Sequence, residues 1–325
     1  MKPDPRHYQI AVLAALLAYG LTRLDFEVAL AQAVAMLTTA LLTQYLCTRW
    51  FPKTPAFDPR SALISGLSLC LLLRTNSLEL AIVAAVVTVA SKFVIRIEGK
   101  HLFNPTNFGI VVMLLTGHAW VSPGQWGNVA FFAFLMACLG GLVVTRAARS
   151  DITLSFLVFY MGLVFGRSLW LGEPMSIPIH RLQSGALLLF SFFMISDPRT
   201  SPDSRLGRML FALLVACGAW YVQFRLFRTN GLLWALAACS ITVPLINRLL
   251  PGWRYEWSRP GIGRAVKLPF KPPSDPEEMG GVPLHCRQCW SGPAPRARHL
   301  LTQGNLLHPQ RCRRQEMSCA ERGGI

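Results

Sequence analysis

The stretch RIEGKHLFNPTNFG, residues 96–109, sets an asparagine directly before a proline, with a lysine four residues upstream. Asparagine at a helix N-cap accepts hydrogen bonds from free backbone N–H groups, and proline suits the first helical position. The pattern predicts a helix opening at Asn104–Pro105. Its partial positive charge and unpaired donors, with Lys100 and Thr106 alongside, could hold a phosphate or another anion. The same residues also fit an ordinary capped helix at a membrane surface. A second stretch, SGALLLFSFFMISDPRTSP, opens on Ser184-Gly185-Ala186 and closes on Asp197-Pro198-Arg199. Small residues let a flat ring or another backbone approach closely, or serve helix packing alone. An acid at membrane depth is a functional candidate, whereas at the interface Asp197 pairs with Arg199 or caps the next turn. A third group lies near the end of the chain: His285, Cys286, Cys289, His308, Cys312 and Cys319. Cys-x-x-Cys can hold zinc or an iron–sulfur cluster. Here Cys312 and Cys319 have six residues between them rather than two and no apolar core surrounds them, so a disordered tail is expected.

The elements that must position these residues are membrane spans. The chain has 325 residues, 52% hydrophobic and only 15% charged, with a mean hydropathy of +0.39. Soluble chains carry about 25% charged residues. Apolar runs predict spans near residues 8–21, 28–48, 61–73, 78–95, 104–117, 127–145, 152–171, 184–195, 208–224 and 231–249. Several are too short to cross straight and must tilt or be buried as half-helices between neighbours. The net charge of +16 sits largely in residues that flank these runs, which points to topology and anionic headgroups and away from nucleic acid. With the N-terminus in the cytoplasm, alternate loops are richer in Lys and Arg, and Arg225 with Arg228 is the exception. Residues 251–325 are rich in Pro, Gly and charge and read as a basic cytoplasmic tail behind a transmembrane domain of residues 1–250.

A weak internal repeat runs through the apolar part. SALISGLSLCLLLRTNS from Ser61 resembles SGALLLFSFFMISDPRTS from Ser184, and LFNPTNFG from Leu102 resembles LFRTNG from Leu226, at offsets of 123 and 124 residues. The Ser61 segment runs outward and the Ser184 segment inward in the topology above. The expectation is an all-α polytopic membrane protein of about ten transmembrane helices in a five-plus-five inverted repeat, with a site where the short segments meet.

GKHLFNPTNFGIV and SGALLLFSFFMISDP resemble the RnfD/NqrB family, membrane subunits of the Rnf ferredoxin-linked and Nqr NADH:quinone ion-pumping complexes, over roughly residues 5–250. The resemblance implies the ten-helix inverted repeat and an FMN joined through its phosphate to a threonine, the fourth residue of a Ser/Asp-Gly-Ala-Thr motif. On Ser184-Gly185-Ala186 that position is Leu187, which has no hydroxyl and excludes covalent FMN there. A non-covalent FMN would lie among Ser184, Gly185, Ala186, Lys100, Asn104, Pro105, Thr106 and Asp197, or be absent. The implied function is an integral subunit of the plasma membrane that passes electrons through a flavin, coupled to Na⁺ or H⁺ movement. Other membrane redox subunits are its expected partners, since the chain carries no P-loop or Rossmann glycine pattern of its own. A non-redox transporter or channel of the same fold, without the flavin anchor, is the alternative, and a purely structural role the third possibility.

Overall fold

In the computed structural model, which describes residues 4–23, 29–51, 57–122, 149–182 and 184–252, helices carry most of the chain. The first half holds α1 (Pro5–Arg23), α2 (Leu30–Trp50), α3 (Pro59–Leu72), α4 (Leu78–Val94) and α5 (Pro105–Leu115). The second holds α6 (Ser150–Leu171), a short α7 (Ser176–Leu182), α8 (Gly185–Leu189) running into a π turn (Phe190–Met194), α9 (Arg205–Phe224), α10 (Gly231–Ser240) and α11 (Val243–Leu249). All described residues belong to one compact unit, Met1–Gly261. The expected sixth span, 127–145, and the tail with its Cys-x-x-Cys lie outside the described residues.

Among the described residues, three helices are long and apolar enough to cross a bilayer: α2, α6 and α9. The expected single span 231–249 is instead two helices, α10 and α11, bent by 51° at Ile241–Thr242, and counts as a fourth if taken as one broken crossing. Helices α3, α5 and the α8–π segment are the shorter apolar ones. At about 1.5 Å per residue, α5 covers only about 16 Å of a core roughly 30 Å thick. The segments expected to be short are therefore short.

The faces follow the sequence period. Ala33, Met36 and Ala40 of α2 are buried, whereas Leu30, Val34, Leu42, Tyr45 and Trp50 are exposed. A stripe at i, i+3, i+7 faces the bundle and large apolar side chains face outward. On a soluble protein that outer surface would be a liability; on a membrane protein it is the lipid face. Small residues line the contacts, Ala81, Ala84 and Ala85 on α4 and Ala212, Ala216 and Ala219 on α9, which lets helix axes approach closely.

Helix pairing has an internal order. In the first half α2 packs on α4, α4 on α5, and α2 on α3; in the second α6 packs on α9, α9 on α10, and α6 on the π turn. The halves also meet directly, α5 against α10. Two small antiparallel sheets, which the apolar pattern did not announce, close the helix ends. β1 (Leu73–Thr75) pairs with β4 (Ala119–Val121), and β2 (Arg96–Ile97) with β3 (Lys100–His101).

Candidate functional site

The start of α5 is built as its sequence requires. Asn104 is the N-cap, its Oδ1 accepting from the Asn107 N–H at 3.1 Å, and Pro105 takes the first helical position. The Asn104 amide also reaches across the bundle. Its Nδ2 donates to the Met194 carbonyl at 3.3 Å, at the end of the π turn. Asn107 is completely buried and its Nδ2 donates to the Leu233 carbonyl of α10 at 3.1 Å. Counted from Pro105 and from Gly231, Asn107 and Leu233 are each the third residue of their helix. Both bonds are buried, so each leaves an amide donor unsatisfied if the carbonyl is moved away, a loss of about 1 kcal/mol or more. Gly109 makes the close approach possible: a Cβ there would lie 1.7 Å from Thr88 Oγ1 and 3.2 Å from Thr88 Cα on α4.

The segment from Ser184 is not a plain helix. After five α-helical residues it widens, and the Ile195 N–H bonds to the Phe190 carbonyl five residues back at 3.1 Å. Widened turns of this kind are uncommon and recur at functional positions. Side chains from elsewhere satisfy it: Thr153 Oγ1 on α6 donates to the Ser191 carbonyl at 2.9 Å, and Asn104 serves Met194. Asp197 follows. Its Oδ1 accepts from the Arg199 backbone N–H at 3.0 Å, and its carbonyl takes the Thr200 and Ser201 N–H groups at 3.2 and 3.0 Å. The carboxyl thus organises a turn, as expected of an acid at the interface. Burial pushes the Asp197 carboxyl above its usual value, against the Arg199 N–H and the charges of Arg199, Lys92 and Arg149.

Around that turn the beginnings of α1, α3, α6 and α9 and the end of α4 gather a layer of charge. Arg6 and Arg60 each bind both Asp4 and Asp58. Lys100 pairs with Asp203 at 2.5 Å, Arg208 with Asp151 at 2.5 Å, and Arg149 Nη1 donates to the Pro202 carbonyl at 3.1 Å. The buried Lys92 donates through Nζ to the Ser61 carbonyl at 2.8 Å and to Ser61 Oγ at 3.3 Å. His101 lies 3.5 Å from Arg199 Nη1. Burial first, then the neighbouring charges of Arg199 and Lys92, push its imidazole down to about 3, so the ring is neutral at neutral pH.

The expected site residues therefore fall into two groups. Lys100, Asn104, Pro105, Thr106 and Asp197 lie together at the end of the π turn. Ser184, Gly185 and Ala186 lie at the other end of the same ten-residue segment, about 15 Å away by helical rise. Leu187 is buried and carries no hydroxyl. Lys100 is committed to Asp203, and Asn104 to Met194 and Asn107. The residues expected around an FMN thus stand at the two ends of one segment, and no step is derived through a flavin. Lys92, Asn107, Thr153 and His101 did not stand out in the sequence. The signal for Lys92 was a lone lysine inside the apolar run 78–95, and Asn107 stands inside the Asn-Pro motif itself. Among the described residues, no three His, Cys, Asp or Glu side chains converge as a metal site would need.

Comparison with known proteins narrows the resemblance. The NQR2, RnfD, RnfE family profile matches residues 114–255, the second half with the Ser184–Asp197 stretch but without the Asn104 motif. The D component of an ion-translocating oxidoreductase complex from Erwinia tasmaniensis is 34% identical over 151 residues, 45% of this chain and 38% of the relative. The same component from Escherichia coli K12 is 33% identical over 136 residues, 41% of this chain and 36% of the relative. The aligned part thus spans little more than a third of the length of the curated relatives it matches. Residues 114–255 of this membrane protein thus resemble the NQR2, RnfD, RnfE family.

Proposed function

We propose that the chain is the membrane-embedded subunit of an ion-translocating oxidoreductase complex, and that its two halves are inverted repeats of about five spans each, joined at the α5–α10 tips. The observation that carries this reading is the bond between Asn107 and Leu233, third residues of two helices in repeat-related positions. An element beside a pseudo-two-fold axis touches its own mate, and the pairing order α2–α4–α5 recurs as α6–α9–α10. Short helices meeting at such an axis make polar ends within the bilayer. The family match and the printed names of the relatives supply the redox setting. On this reading the charge layer around Asp197 faces the cytoplasm at the plasma membrane, and partner subunits oxidise the donor.

The test is co-purification and flux. Affinity-tagged chain, extracted in mild detergent from its own cells, is expected to bring other membrane redox subunits with it. Membrane vesicles containing the complex are expected to move Na⁺ or H⁺ only when an electron donor is supplied. Substrate movement through the chain alone, without donor, would replace this reading with a second one, a non-redox transporter of the same fold. Leu187, which lacks the hydroxyl that a covalent FMN needs, favours that alternative. A flavin assay bears on both: flavin released on mild denaturation at one per chain returns a non-covalent FMN to this protein, and protein-attached flavin contradicts the argument from Leu187.

A further inference from the structure

The end of the molecule opposite Asp197 carries arginines where the positive-inside rule expects few. There α6, α7 and α9 come together. Arg167 and Arg181 both lie over the Phe224 ring, with Cζ 4.3 and 4.9 Å from its centroid. Arg225 and Arg228 follow in the chain, both exposed. Among the described residues, the only carboxylate paired with any of these four is Glu173, bound to Arg167 at 2.7 Å and to Ser168 Oγ at 3.1 Å. Four guanidiniums against one carboxylate leave this cluster at +3. Exposed apolar side chains border it: Trp170 is 89% and Phe227 85% exposed, and Leu226 and Tyr221 are exposed as well. Aromatic side chains mixed with guanidiniums at the ends of spanning helices mark the headgroup level of a bilayer.

We propose that this end binds the phosphate of an anionic phospholipid, with Arg181 and Arg225 as its contacts and Trp170, Leu226 and Phe227 at the edge of the acyl chains. A guanidinium fork matches a phosphate bidentately. Phe224 holds Arg181 without neutralising it. A lipid brings both the anion and the apolar body that the exposed rim lacks, whereas a soluble phosphate brings only the anion. The inference stands on the membrane setting and is independent of the redox reading.

The full chain is purified in detergent, and its thermal unfolding is followed with added phosphatidylglycerol, phosphatidylcholine or inorganic phosphate. Phosphatidylglycerol is expected to raise the midpoint by about 5 °C more than phosphatidylcholine. The double variant R181A/R225A is expected to lose that difference while keeping its midpoint in phosphatidylcholine, and R181K/R225K to keep part of it. Equal stabilisation by both lipids, or an undiminished phosphatidylglycerol effect in R181A/R225A, overturns the proposal. So does inorganic phosphate that alone reproduces the lipid's shift, since the site would then read a soluble anion.

Discussion

On the proposed repeat, helix α3 and the α8–π segment occupy matching places in the two halves, and they are stabilised by different means. α3 is a regular helix of 14 residues. It is held at its start by local charge: Asp58 caps it through the Arg60 N–H at 3.1 Å, and Lys92 of the same half grips Ser61. At its end the buried Arg74 donates to the Cys70 and Leu73 carbonyls, both at 3.0 Å. The α8–π segment has no side-chain cap bond at Ser184, and besides its own Ser196 and Asp197 it draws donors from Thr153 of α6 and from Asn104 of the other half. One short helix is finished within its own half. The other also takes a donor from the opposite half, Asn104, so it is the one whose geometry reports on their association.

Breaking the contacts that set the halves apart tests that difference. The largest effect is expected at α4–α5. G109V drives its side chain into the Thr88 backbone and is expected to cost about 3 kcal/mol or more, read as loss of monodisperse protein in detergent. The matching α9–α10 contact has Gly218 with Ala235 Cβ 3.2 Å from where its own Cβ would stand, and G218A is expected to cost only about 1 kcal/mol. K92M removes two charge-assisted bonds from Ser61 and is expected to lower stability by about 2 kcal/mol, read by thermal unfolding. N104A loses both a cap and the Met194 bond, again about 2 kcal/mol. By contrast Asn230, the N-cap of α10, has a left-handed φ of 61° and no side-chain cap bond, so N230G is expected to be neutral or stabilising by a few tenths of a kcal/mol. Equal losses in N104A and N230G would remove the asymmetry.

The smallest effect is in pH dependence, and its sign differs between the halves. Asp4 and Asp58 are raised by burial but held lower overall by their bonds to Arg6 and Arg60. Their contribution is present above the usual 3.8 and is lost as pH falls through their lowered values. Asp197 is raised, so its contribution is present below the usual 3.8 and lost as pH rises through its folded value. Compared with the parent chain, D58N is expected to flatten the acid limb of midpoint against pH, and D197N to raise the midpoint at neutral pH. Parallel curves for both variants would contradict this assignment.

Much of the fold was legible because a bilayer imposes a coarse rule, that apolar length decides which segments cross. The short segments near Ser61, Asn104 and Ser184 were visible in this way, as were the Asn104 cap and the Asp197 turn, which are local. The π turn, the 51° bend at Ile241 and the two small sheets were not, since each is settled by which carbonyl finds a donor after packing. The contacts between segments were not legible either: Ser184 and Asp197 stand beyond opposite ends of one ten-residue segment, about 15 Å long by helical rise, while Asn104 and Met194 are far apart in sequence and bonded in space.

By itself the sequence determined that the chain is a helical membrane protein with several short apolar segments and no hydroxyl at residue 187, because hydropathy, caps and side-chain chemistry are properties of residues. Tertiary structure alone decided that Asn104 and Asn107 bond one half to the other, that Lys92 holds Ser61, and that Arg167 and Arg181 share one ring. Those facts depend on distances between segments that no local preference encodes, and they exist only once burial has removed water as the competing partner.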